Sequence, residues 1–141
     1  MTDMSMILGR IGRKLATDVV PKLEGDYAGG QAGMAAMMAS IAGELLDGEA
    51  DRLFREIADL RALLQGGGVV VQVPDAPSLK VSELTAERDA LARLLIGLQT
   101  QLETRQDDAA KALNAQIWHH LLATATARMP SPPDFSAGDA G

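Results

Sequence analysis

The sequence predicts an all-α protein, a bundle of four to five helices, on three observations. Apolar residues recur at spacings of three and four along most of the 141 residues. Hydrophobic residues make up 47% of the chain and aromatics only 3%, so the core is aliphatic, and Ala, Leu and Met, which dominate it, are good helix formers. A single stretch, Gln65 to Leu79, favours extended backbone. The length fits one helical domain over residues 1–128, large enough to bury a core, followed by a Pro-, Gly- and Asp-rich tail over 129–141 expected to be disordered.

The first helix runs from about Met4 to Leu23, with Leu8, Ile11, Leu15, Val19 and Leu23 as its apolar stripe. Pro21 lies near its end, where the missing N–H and the ring clash kink or stop a helix. Arg10, Arg13 and Lys14 are balanced by Asp3, Asp18 and Glu24, a sparser basic face than membrane-surface helices carry, so this helix reads as one side of the bundle.

Glu24-Gly25-Asp26 makes a turn, with Asp26 as the candidate N-cap of the next helix. Tyr27 to Gly43 carries no charge and is built from Ala, Gly and Met with one Ile. Gly29, Gly33, Ala36, Ser40 and Gly43 form a small-residue face; Met34, Met37, Met38 and Ile41 supply the bulk. The pattern reads as a central helix buried among others. A membrane span takes roughly 20 strongly apolar residues, more than this stretch offers. An apolar groove lined by Met34, Met37 and Met38 is the binding-module alternative.

Leu53, Ile57, Leu60 and Leu64 continue the helical pattern, on a stripe rotated from Met34, Met38, Ile41 and Leu45. Either the helix breaks at Asp47-Gly48, or one long helix passes from one neighbour to the next, since a single Gly costs only about 1 kcal/mol. Three glycines, Gly66 to Gly68, end it. Val69, Val70, Val71 and Val73 then favour a crossover lying on the bundle, or a strand paired with its copy in a dimer.

Ser82 is the candidate N-cap of the third helix. Leu84, Leu91 and Leu98 fall at one heptad position; Leu95 and Leu102 fall at the other with Arg88. Glu83, Glu87, Arg93, Glu103 and Arg105 read as its solvated flank. Asp107 or Asp108 caps a last helix whose buried stripe is Ala110, Leu113, Ile117, Leu121 and Ala125, with Trp118 at a packing edge.

Composition excludes several functions. Net charge is −6, shared by both halves of the chain with no basic stripe, which argues against nucleic-acid binding. With zero cysteines there are no disulfides, thiolate metal sites or cysteine nucleophile. The opening residues show no signal peptide, so the expected location is the cytoplasm. GGQAGMAA lacks the Gly-Lys-Ser/Thr ending of a phosphate loop. Adjacent His119 and His120 point about 100° apart on a helix, and neither has a Glu three residues before it, which excludes a di-iron carboxylate site.

The remaining chemical constellation is a pair of Glu-x-x-Asp motifs, Glu44/Asp47 and Glu56/Asp59. Spacing of three places each pair on one helix face, where carboxylates can share a hard cation such as Mg²⁺. Nucleotide pyrophosphohydrolases of the all-α type use acidic pairs of this kind on two antiparallel helices, across a longer gap than occurs here. On one continuous helix the two pairs stand about 18 Å apart.

Val20-Pro21-Lys22-Leu23-Glu24-Gly25, Glu44-Leu45-Leu46-Asp47 and Leu60-Arg61-Ala62-Leu63-Leu64 resemble a family of small bacterial all-α proteins of unknown function. So do Val81-Ser82-Glu83-Leu84, Leu95-Ile96-Gly97-Leu98-Gln99 and Ile117-Trp118-His119-His120-Leu121. The resemblance spans residues 6–122, favours one long helix over two, and implies no activity. Some members carry His where this chain has Gln99, four residues before Glu103, so any metal site there lacks a ligand here.

The function expected is that of a non-catalytic interaction or accessory protein, homodimeric or bound to a protein partner, with no cofactor and no membrane span. The small-residue face and the unpaired Val segment motivate the dimer. The alternative is a Mg-dependent pyrophosphohydrolase-like enzyme that holds Mg²⁺ with Glu44, Asp47, Glu56 and Asp59.

Overall fold

The computed structural model describes residues 3–23 and 25–132. Glu24 of the expected turn and residues 133–141 of the expected disordered tail lie outside the described residues. The protein is all-α: the described residues form helices α1 (Met4–Lys14), α2 (Tyr27–Gly66), α3 (Val81–Glu103) and α4 (Asp108–Ala127), without a strand. Helix α2 is continuous through Asp47-Gly48, so the long-helix alternative is the one found. The chain divides into two compact units, one of Met1–Gly48 with Pro130–Gly141 and the other of Glu49–Met129.

In the first unit, Asp3 caps α1 by accepting from Ser5 N at 3.0 Å. The α-helical pattern ends at Lys14; Leu15–Val19 widens into a π turn and Val20–Leu23 tightens into a 3-10 turn. Pro21 explains the change of winding, because it cannot donate to the carbonyl four residues back and its ring crowds that carbonyl. Asp26 accepts from Ala28 N at 3.4 Å and starts α2 as expected.

Helix α1 lies antiparallel on α2 through small residues on both sides. A Cβ at Gly12 would sit 2.7 Å from the Ala36 carbonyl oxygen and against Ser40 Oγ. One at Gly43 would sit 2.7 Å from the Ser5 carbonyl oxygen and 3.0 Å from Gly9 N. Gly12 thus meets Ala36 and Ser40, Gly43 meets Ser5 and Gly9, and the absent side chains let the backbones touch. Of the described apolar side chains in this unit only Ala36 is buried.

That corrects the reading of the Ala/Gly/Met segment as an interior helix. Its Ala36–Ser40–Gly43 side is packed against α1, but Met34 and Met38 are exposed and Met37 is partly so. Ile11 of the α1 stripe is exposed as well. Period and composition alone do not distinguish a face that meets a neighbour from one that has none.

The second unit holds the aliphatic core: Leu53, Ile57, Leu60 and Leu64 from α2, five leucines of α3, and Ala110 and Ile117 of α4. Contacts of Arg61 with Glu87, and of Gly67 with Leu98, set this part of α2 parallel to α3. Helix α4 returns antiparallel, Leu113 beside Gly66 and Arg128 beside Glu56. Parallel neighbours need a connection that runs back along the helices, and the Val-rich crossover supplies it. Val69, Val71 and Val73 pack against the core while Val70 points to solvent, the two-residue alternation of extended chain.

Three local expectations are corrected. Helix α3 starts at Val81 with Lys80 in the capping position, so Ser82 lies inside the first turn. Glu87 is not on a solvated flank but buried. In the last turns of α4, Leu121 and Ala125 face solvent, and His120 and Thr124 occupy the less exposed positions. Asp107 caps α4 as expected, accepting from Ala110 N at 2.9 Å. Trp118 is well exposed.

Candidate interaction site

Tyr27, Gln31, Met34, Met38, Ile41 and Leu45 are spaced four, three, four, three and four along α2, the spacing of a helix–helix seam. At 100° per residue they fall within about 40° of Tyr27, whereas Ala36 lies about 180° away. Helix α1 occupies the Ala36–Ser40–Gly43 side, so the seam is on the face of α2 that α1 leaves open. Tyr27, Met34 and Met38 are 82%, 62% and 63% exposed, while Ile41 and Leu45 are partly buried. The flanking residues are Ala28, Gly30, Ala35, Met37 and Ala42, small or unbranched and all uncharged.

The first charge on this segment is Glu44. Its Oε1 accepts from the Ser131 hydroxyl at 2.7 Å and from Ser131 N at 3.1 Å. The hydroxyl bond first, and the N–H bond second, hold this carboxyl below its ordinary value.

The four acids considered for a metal site share α2, but each has its own surroundings. Glu44 holds Ser131, and Asp47 is exposed. Glu56 is buried with its Oε1 bonded to Arg128 and 4.0 Å from Arg88 Nη1. Its Oε2, like Arg52 Nε and Arg88 Nε, has no hydrogen-bond partner among the described residues. Asp59 Oδ2 lies 3.9 Å from His120 Nδ1. Among the described residues no three His, Asp or Glu side chains are grouped as a metal site requires. A cation entering at Glu56 would face two guanidinium groups, the opposite of the charge a metal site needs. Gln99 donates to Asn114 at 3.3 Å, joining α3 to α4.

A cleft of about 520 Å³ lies in the second unit, walled by Phe54, Ile57, Leu79 and Leu84 with Arg61 and Glu87 at its polar side. Those two charges are already engaged. Arg61 Nη2 donates to Glu87 Oε1 at 2.7 Å and to the Val73 carbonyl at 3.0 Å, and lies 2.9 Å from Asp75. Glu87 Oε2 accepts from Ala76 N at 2.7 Å. The polar groups of Arg61 and Glu87 pin the crossover to the helices.

Comparison with known protein families, curated proteins and solved structures finds no match to this chain. Among the described residues no helix is long and apolar enough to cross a membrane. What the geometry offers for function is the open face of α2. The sequence displayed its 4-3 spacing but not the absence of a neighbour.

Proposed function

We propose that the chain is a non-catalytic helical interaction protein that self-associates. The observation that carries this reading is the uncharged segment of α2, whose seam residues Tyr27, Met34 and Met38 stand exposed while α1 covers the opposite side. Exposed apolar side chains contiguous on one helix face are the mark of a surface that works by association. Met suits such a surface because its unbranched thioether adapts to the shape it meets.

The two features that first suggested a dimer are used within the chain. The small-residue face receives α1, and the Val segment packs on the second unit's core. Self-association therefore rests on the Met-bearing face instead. Nothing in the surroundings of Glu44, Asp47, Glu56 and Asp59 favours the Mg-dependent hydrolase.

Sedimentation equilibrium at tens of micromolar protein tests the reading, with dimers expected. Calorimetry with Mg²⁺ and Mn²⁺, on wild type and on Glu44→Gln, tests it from the other side. The expected result is no heat from either metal. Binding that disappears in Glu44→Gln would overturn the proposal and bring back the hydrolase.

A further inference from the structure

We infer that two copies of this chain pair through α2 as an antiparallel two-fold helix pair centred at Ala36, an inference that rests on the self-association proposed above. Three observations select this partner and this register. The first is the state of the first unit's core. Among the described residues its only buried apolar side chain is Ala36, and the largest fully buried side chains, Leu60, Leu64, Leu91 and Ile117, all lie in the second unit. A helix pair that buries so little apolar area among the described residues needs further coverage to be stable.

Charge is the second. Each copy carries a net charge of −6, so two copies repel wherever their acidic surfaces meet. Over Tyr27–Gly43 there is no charge to oppose, and the flanks of the seam are small enough for close approach.

The third is self-complementarity. A two-fold contact requires that if one residue meets a second, the second meets the first. The 4-3-4-3-4 spacing reads the same in both directions about Ala36. Laid antiparallel, Met34 meets the partner's Met38, Gln31 the partner's Ile41, and Tyr27 the partner's Leu45. The seam thus brings together two methionine pairs at its centre and closes with a ring over a Leu at each end. Helix α1 stays on the outer side of each α2, so nothing in the unit has to move.

Single-cysteine variants read the register directly, because the chain has no cysteine of its own. Met34→Cys mixed with Met38→Cys should yield an oxidised cross-linked dimer well above the yield from either variant alone. Met38→Glu places a carboxylate in each half of the seam, and should raise the dimer dissociation constant at least tenfold with helicity by circular dichroism unchanged. A dimer that Met38→Glu leaves intact, or Met38→Cys trapping Leu122→Cys on α4 instead of Met34→Cys, would overturn this pairing while leaving self-association standing. A wild-type chain that stays monomeric at 100 micromolar would overturn both.

Discussion

Arg61 and Glu87, 26 residues apart in sequence, meet through two hydrogen bonds to one carboxylate oxygen, from Nη2 at 2.7 Å and from Nε at 3.2 Å. The other carboxylate oxygen takes the Ala76 N–H, and the same guanidinium holds the Val73 carbonyl. Two helices and the extended crossover are fastened at one point. Glu87 is 7% exposed, so removing its partner leaves a buried charge without compensation. Arg61→Leu and Glu87→Ala should each lower stability by about 3 kcal/mol in chemical denaturation. The double variant should cost less than the two added together, since neither charge is then stranded. Hydrogen exchange of residues 69–80 should rise in all three.

Gly12 and Gly43 stand where α1 and α2 touch, and among the described residues Gly33 has nothing near its potential Cβ. Gly33→Ala should stabilise the protein by roughly 1 kcal/mol, the ordinary helix-propensity gain. Gly12→Ala and Gly43→Ala add the same methyl against backbone and should destabilise by roughly 1–3 kcal/mol instead. Thermal melts of the three variants measure the contrast. Equal gains at all three positions would contradict the α1–α2 contact.

Asp107 links the α3–α4 turn to the first turn of α4. Hydrogen bonding from Arg105, and then the Ala110 N–H, hold its carboxyl below the ordinary Asp value. A lowered folded-state value means the stabilisation is fully present above the unfolded value, about 3.9, and is lost as pH falls through the folded value. Asp107→Asn keeps a capping oxygen but not the charge. The difference in melting temperature between wild type and Asp107→Asn should be constant from pH 5 to 7 and shrink below about pH 4. A constant difference down to pH 2 would rule out the charged bonds.

The core of the second unit should respond strongly to truncation. Leu91 and Ile117 are fully buried, on α3 and α4. Leu91→Ala and Ile117→Ala should each cost roughly 2–5 kcal/mol, the range for large-to-small core changes. Met34→Ala and Met38→Ala, on the open face, should change monomer stability by less than about 0.5 kcal/mol.

Helix placement was legible in the sequence because it is local. The leucine spacing from Leu84 to Leu102, the cap at Asp107 and the three glycines ending α2 each act within a turn or two of the chain. So does Pro21, whose lost donor ends the regular α-helix before Leu23. The buried stripes of α2's second half and of α3 followed from the same periodicity, because heptad leucines have one face to bury.

Which apolar faces have neighbours depends on how the helices pack. Met34, Met38 and Leu91 look alike as periodic apolar residues, yet Leu91 is fully buried in the second unit's core and the two methionines are exposed. Glu87 sits among flank positions in the sequence; its burial depends on Arg61 arriving from a helix 26 residues earlier. The match of Gly12 with Ala36 and Ser40 likewise required α1 to fold back antiparallel. Local spacing fixes which residues share a face, but burial is a property of what packs against that face, and that is settled by contacts between distant parts of the chain.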